Sequence, residues 1–217
     1  MRDKNGKGIG ISILDKKVLK NHKRYLERKK LYRDFGINTD RERDFVLEKT
    51  GPIFGDILEV GTGKGYFTLV LAQQGRRFTS VDISAEEQAK ARLNLKYFKL
   101  ENLVDFRIEN AERLSFANNS FDTIFSINTV HHFTNPFKVM DELLRVVSPE
   151  GKIILSDFSR EGLRILDKVH SSEGRIHKTS EFDLKQMEAY LKRKDLDVEK
   201  HPGRFQEMLI AYKPLLQ

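Results

Sequence analysis

The 217-residue chain contains no cysteine. Disulfides, a thiolate metal site and a cysteine nucleophile are therefore excluded. No apolar run reaches the roughly 18 residues that a membrane-spanning helix requires, so no span is expected. The basic N-terminus lacks the apolar segment of a secretory signal, and a cytoplasmic location is expected. No H-E-x-x-H pair occurs, and no metal site is expected. Apart from the glycine-containing first ten residues, neither a repeat nor a low-complexity block is evident. The chain is long enough for one domain with a sizeable core.

What the chain does have is Ile57-Leu58-Glu59-Val60-Gly61-Thr62-Gly63-Lys64-Gly65. An apolar run carrying one acid ends in three alternating glycines. This pattern predicts a buried strand, a tight turn and then a helix from Tyr66 to Gln74. Glycine permits backbone conformations closed to other residues and lets a ligand approach without meeting a Cβ. A second apolar strand, Arg77 to Val81, ends in Asp82, an acid suited to accept hydrogen bonds from two ribose hydroxyls. The nicotinamide or flavin fingerprint G-x-G-x-x-G fails here, because its third glycine is Tyr66. The phosphate loop G-x-x-x-x-G-K-[ST] fails as well, with Leu58 at its first glycine and Gly65 at its Ser or Thr.

Further along, helices alternate with strands. Asp15 is a cap for a helix to about Phe35, and Thr39 for a second from Asp40 to Lys49, stopped by Gly51-Pro52. Ser84 caps a helix from Ala85 to Leu100, with Ala89, Leu93 and Phe98 expected to face the sheet. Strands are expected at Val104 to Ile108 and Phe121 to Ile127. Pro136 opens a helix to Val147, and Pro149-Glu150-Gly151 leads into a fifth strand. Helices at Ser159 to Val169 and Ser180 to Lys194 precede strands at Leu196 to His201 and Phe205 to Tyr212, which Pro202-Gly203 joins as an antiparallel hairpin. The alternation predicts an α/β, Rossmann-like, doubly wound and mostly parallel sheet. Ligands of such sheets bind at the C-terminal strand ends, where Glu59, Asp82, Asn110 and Asn128 fall.

The E-x-G-x-G-x-G pattern resembles motif I of the class I S-adenosylmethionine-dependent methyltransferases. The resemblance runs from about Asp56 to Tyr212. Asn110-Ala111-Glu112-Arg113-Leu114-Ser115-Phe116 matches the family's D-A-x-x-L-P-F segment, with Asn for its first Asp. Phe121-Asp122 and Pro149-Glu150-Gly151 match its F-D and P-G-G elements. The likeness is strongest to the small-molecule branch that includes quinone-biosynthesis methyltransferases. It implies seven strands, one of them antiparallel, in a domain of residues 51–217 behind a basic tail and helical lid of residues 1–50. S-adenosylmethionine is the implied cofactor and S-adenosylhomocysteine the product. Glu59, Gly61, Gly63 and Gly65 are implied to shape the methionine side of its site, Asp82 to hold the ribose, and Ile83, Asn110 and Ala111 to hold adenine. Thr62 and Asn128 join this cofactor-binding set.

The implied reaction is in-line methyl transfer to a small-molecule acceptor. A general base is needed only where the acceptor keeps its proton at neutral pH. His131 and His132, after the fourth strand, are the first candidates because histidine titrates near neutrality. Structural support for the loop is the competing role. His170 and His177 are candidates for acceptor contact or plain surface residues. Asp157 is expected to orient its neighbouring loop. Tyr25 and Tyr32 are candidates for covering the cofactor, with packing against the sheet the alternative.

Charge is uneven. Residues 1–33 hold twelve Lys and Arg against Asp3, Asp15 and Glu27, a net of +9, whereas the whole chain is +7. A basic arm of this kind suits nucleic acid, an anionic membrane surface, an acidic acceptor or plain solvation. The family's N-P-P-Y motif of base amino methylation is replaced by Asn128-Thr129-Val130-His131, which counts against RNA. A nucleic-acid methyltransferase guided by the arm, and a cofactor-binding protein without transferase activity, are the alternatives.

Overall fold

A computed structural model of the chain describes residues 15–174 and 182–214. Its centre is a seven-stranded sheet ordered β3-β2-β1-β4-β5-β7-β6. The strands are β1 (Ile57–Val60), β2 (Phe78–Asp82), β3 (Val104–Ile108), β4 (Phe121–Ile127), β5 (Val147–Phe158), β6 (Asp197–Pro202) and β7 (Gln206–Tyr212). The first five run parallel to one another. β7 runs antiparallel to both β5 and β6, which makes it the one reversed strand of the expected pattern.

The helices are α1 (Lys16–Asp34), α2 (Thr39–Thr50), α3 (Tyr66–Ala72), α4 (Ala85–Tyr97), α5 (Pro136–Val146), α6 (Arg160–Ser172) and α7 (Leu184–Arg193). Central strands of a sheet covered on both faces alternate their side chains between two cores. Ile124, Ile153, Leu155 and Leu209 join Met140, Leu143 and Met187 of α5 and α7. Phe125, Ile154 and Ile210 join Phe67, Leu71 and Leu95 of α3 and α4 on the other face.

Local chemistry explains most boundaries. Asp15 caps α1 by accepting from Lys17 N–H, and Ser84 caps α4 by accepting from Glu87 N–H at 3.2 Å. The cap of α2 is Asn38 rather than Thr39: its Oδ1 accepts from the Asp40 and Arg41 N–H groups, and Thr39 is the first helical residue. The helix expected from Ser180 starts later, at Leu184, where Asp183 and Gln186 form a reciprocal capping box; Ser180 itself lies outside the described residues. The inward face of α4 also differs from expectation. Gln88, Ala91, Asn94 and Leu95 are buried, while Ala89 is exposed. Polar Gln88 faces inward because its amide donates to Ser80 O and Arg107 O, binding α4 to β2 and β3.

Strand order reverses beside β1, with β2 on one side and β4 on the other. A crevice opens at such a switch point beyond the carboxyl ends of the strands.

Candidate cofactor and acceptor site

A cavity of about 620 Å³ occupies that crevice, walled by the residues that follow β1, β2, β3 and β4. The chain enters it through the glycine turn, which Val81 O ties to β2 by accepting from Gly61 and Thr62 N–H. Gly61 has φ +93°, and a Cβ there would overlap the Thr129 methyl group. Gly65, at φ +75°, is the left-handed cap of α3. A Cβ at Gly65 would lie 2.6 Å from Ala91 Cβ, so this glycine permits the close approach of α3 and α4. Gly65 thus performs the packing role of the third glycine in nucleotide fingerprints, one residue before Tyr66. Gly63 lines the cavity, and a Cβ there would meet no atom within 4 Å, leaving that space to a ligand.

Asp82 stands at the end of β2 and lines the same cavity. Its Oδ2 accepts from Gly63 N–H at 2.7 Å and its Oδ1 from Ser84 N–H at 2.8 Å. Two backbone donors therefore fix the carboxylate plane. Each oxygen keeps acceptor capacity for a further donor, which suits a vicinal diol.

Glu59 is only 2% exposed and is not on the cavity wall. It braces the turn from behind. Its Oε2 accepts from Thr68 Oγ1 at 2.7 Å and Ser80 Oγ at 2.6 Å. Ser80 Oγ also bonds Thr62 Oγ1, which accepts from Gln88 Nε2. This buried network joins β1, the turn, β2, α3 and α4. Burial pushes the Glu59 carboxyl up to about 7, against the two hydroxyl bonds that favour its charged form; the Asp82 charge adds a smaller upward push.

On the β2–β3 side, Ile83 is 71% exposed and lines the cavity beside Asn110 and Ala111. An isoleucine left open within a cavity is a surface for a flat apolar group to cover. Asn110 Oδ1 accepts from Glu112 N–H at 2.9 Å, which closes its turn and leaves one acceptor site on that oxygen. Asn128 lines the cavity at φ +57°, held by Gln206 Nε2 donating to its Oδ1 at 2.7 Å.

Sequence reasoning missed Arg43. It reaches the cavity wall from α2, over the Tyr66 ring at 5.3 Å, with its side chain only 11% exposed. Its Nη1 is buried and makes no hydrogen bond among the described residues; Asp40 Oδ1 is 3.7 Å away. Burial lowers its pKa, with the Tyr25, Asp40, Tyr66 and Tyr32 side chains opposing that shift, and an arginine remains protonated regardless. The signal was present as spacing: Arg43, Val46 and Thr50 recur on one helical face, and the latter two are buried.

The two adjacent histidines separate. His132 lines the cavity, whereas buried His131 does not. Asp157 holds His131 twice, by accepting from its backbone N–H at 3.0 Å and by pairing with Nδ1 at 2.6 Å. An ionised carboxylate only accepts, so Nδ1 carries the proton. The His131 and His132 rings lie 4.0 Å apart. Asp157 thus orients the loop after β4, as its position at the end of β5 implied. Tyr25 and Tyr32 are both buried off the wall of this cavity, Tyr25 against Tyr66 at 5.5 Å. His170 sits 3.1 Å from Arg28 Nη2, away from the cavity; His177 lies outside the described residues.

Comparisons with known proteins agree with this architecture. Residues 58–155 match the family described as methyltransferase domain. The chain is similar to a ubiquinone biosynthesis O-methyltransferase of Sodalis glossinidius, 28% identical over 121 residues, which are 54% of this chain and 47% of that one. It spans about half the length of the curated relatives it matches. Its fold is similar to that of the PH0226 protein of Pyrococcus horikoshii OT3, with a TM-score of 0.68 and 22% identity over 83% of this chain and 94% of that one. It is also similar to a SAM-dependent methyltransferase of Aquifex aeolicus, with a TM-score of 0.61 and 19% identity over 78% of this chain and 88% of that one. The glycine turn and Asp82 stand within the matched segment, on the strand order that places them at one crevice. Over residues 58–155 and in its fold, the chain is thus similar to the S-adenosylmethionine-dependent methyltransferases.

Proposed function

We propose that the protein binds S-adenosylmethionine in this cavity and transfers its methyl group to a small-molecule acceptor. The observation that carries the reading is a pair of opposite charges on one cavity wall. Asp82 is a carboxylate locked by two backbone N–H groups, and Arg43 is a buried guanidinium whose Nη1 has no hydrogen-bond acceptor among the described residues. A ligand with a diol and a carboxylate satisfies both, and S-adenosylmethionine has both groups. Its adenine fits between exposed Ile83 and Ala111, with Asn110 Oδ1 accepting from the amino group. Gly61, Thr62, Gly63 and Asn128 complete the wall, while Glu59 and Gly65 hold the turn in shape from behind it.

When bound, this cofactor supplies an electrophilic sulfonium methyl group to an acceptor aligned behind it. The protein's share is alignment and exclusion of water. Arg43 comes from the first fifty residues, which supports a helical extension that closes the site over the domain of residues 51–217. His132 is the residue of this wall suited to take a proton from a phenol, alcohol or acidic carbon. Asp157 and His131 position it through the packed imidazole rings. Similarity to a ubiquinone biosynthesis O-methyltransferase supports a small-molecule acceptor methylated on oxygen.

The test is transfer of label from methyl-labelled S-adenosylmethionine to a panel of phenols, amines and carbon acids. Label should appear in at least one acceptor with wild-type protein and vanish with Asp82→Ala. Tight cofactor binding with no transfer to any member would instead support a binding protein without transferase activity.

A further inference from the structure

The outer face of α1 plays no part in the site, yet it carries most of the chain's excess charge. Nine of the nineteen residues of α1 are Lys or Arg and two are acidic. Two of the nine are engaged inward: Arg28 with Glu173 at the end of α6, and Lys29 with Asp40 of α2. The buried side of the helix is fixed to the fold. Asn21 Nδ2 donates to Asn94 Oδ1 and Lys90 O of α4, and His22 stacks on Tyr97 at 3.5 Å. The opposite side is exposed, with Lys16, Lys23 and Lys30 recurring every seven residues along it.

That face is not only cationic. Leu19 and Leu26, also seven residues apart, are 46% and 49% exposed. Successive heptad positions stay on one side of a helix, so two leucines form a short apolar stripe beside a row of lysines. A face built only for solvation has no use for the leucines. One that tracks a nucleic-acid backbone would pair its cations with aromatic rings for stacking, and the exposed face of α1 has none. Cations flanking an aliphatic stripe fit the boundary of an anionic bilayer, where lysines meet headgroups and leucines enter the acyl region.

We propose that the outer face of α1 docks the protein on anionic lipid membranes. Charge complementarity selects the leaflet and Leu19 and Leu26 provide the apolar anchor. The helix lies parallel to the surface while its inner face remains on α4 and α6. Tyr25 on that inner face touches Tyr66 of the cavity wall, so docking holds the reaction site close to the lipid. The inference does not depend on methyl transfer.

Co-sedimentation with vesicles tests it, using the full chain and two lipid compositions: phosphatidylcholine alone, or phosphatidylcholine and phosphatidylglycerol in equal parts. Wild type should pellet with the anionic vesicles only, and less so at high salt. A triple variant, Lys16→Glu, Lys23→Glu and Lys30→Glu, should lose at least about tenfold in vesicle affinity. Leu19→Ser with Leu26→Ser should lose at least about threefold with all charges retained. Both variants alter exposed side chains only, and an unchanged circular dichroism spectrum and unfolding midpoint confirm that they fold. Absence of binding to anionic vesicles overturns the proposal. So does vesicle binding that the leucine variant leaves unchanged and that single-stranded RNA displaces, which would make the face a nucleic-acid site.

Discussion

Glu59→Gln should remove a pH dependence of stability that runs opposite to ordinary acid denaturation. Glu59 is buried against Thr68 and Ser80, and its carboxyl is pushed up to about 7 from a reference of 4.5. The folded state therefore holds this proton more tightly than the unfolded chain. Its contribution is full below pH 4.5 and is lost as pH rises towards 7, because the folded protein must then carry a buried carboxylate. Between pH 5 and pH 8 the loss is roughly 2–3 kcal/mol. Gln substitutes well: both hydroxyls donate to one oxygen, Oε2, and an amide oxygen accepts from them equally. Urea unfolding of both proteins at pH 5 and pH 8 isolates the effect, since the other titrating groups cancel in the difference. Glu59→Gln should gain roughly 2–3 kcal/mol on wild type over that range. Parallel pH curves would refute the reasoning and show that Glu59 ionises without cost in its buried setting.

Three further outcomes are expected. Arg43→Ala should weaken S-adenosylmethionine binding by about tenfold or more, measured by calorimetry, because it deletes a charge-assisted bond to the cofactor's carboxylate; Arg43→Lys should recover only part of that loss. Gly65→Ala should lower stability by about 2 kcal/mol in urea unfolding, because φ is +75° and the new methyl group meets Ala91 at 2.6 Å. His132→Ala should lower kcat on a phenolic acceptor by about a hundredfold with little change in cofactor affinity, and should flatten the acid limb of the pH–rate profile; an unaltered profile would return His132 to a structural role.

Much of the architecture was legible because strand signals were local. Ile57–Val60, Val104–Ile108 and Phe121–Ile127 are short apolar runs bounded by turn residues, and each forms its strand within the expected limits. The crevice was legible because alternation implies a parallel sheet that binds ligands at its C-terminal strand ends, and because Gly61 and Asp82 announce themselves by residue type. What escaped the sequence depended on side-chain partners. Gln88 reads as a solvent residue, yet two carbonyls draw it inward and rotate the buried face of α4. Asn38 and Thr39 are both good caps, and only the geometry that lets Asn38 reach two N–H groups decides between them. Arg43 was hidden in a charged run, Asp40 to Asp44, whose composition resembles an exposed helix. His131 and His132 are identical in sequence terms. Asp157, which comes 26 positions after His131, claims one ring and leaves the other on the cavity wall.

The central claim is that one cavity wall binds a nucleoside through Asp82 and a carboxylate through Arg43. Calorimetric titration of the folded protein with S-adenosylmethionine and S-adenosylhomocysteine, with NAD as control, tests it most directly. The account predicts one site per chain with dissociation constants on the order of micromolar for both sulfur cofactors, and no heat from NAD. No binding of either sulfur cofactor to folded protein, or equal binding of NAD, would contradict it.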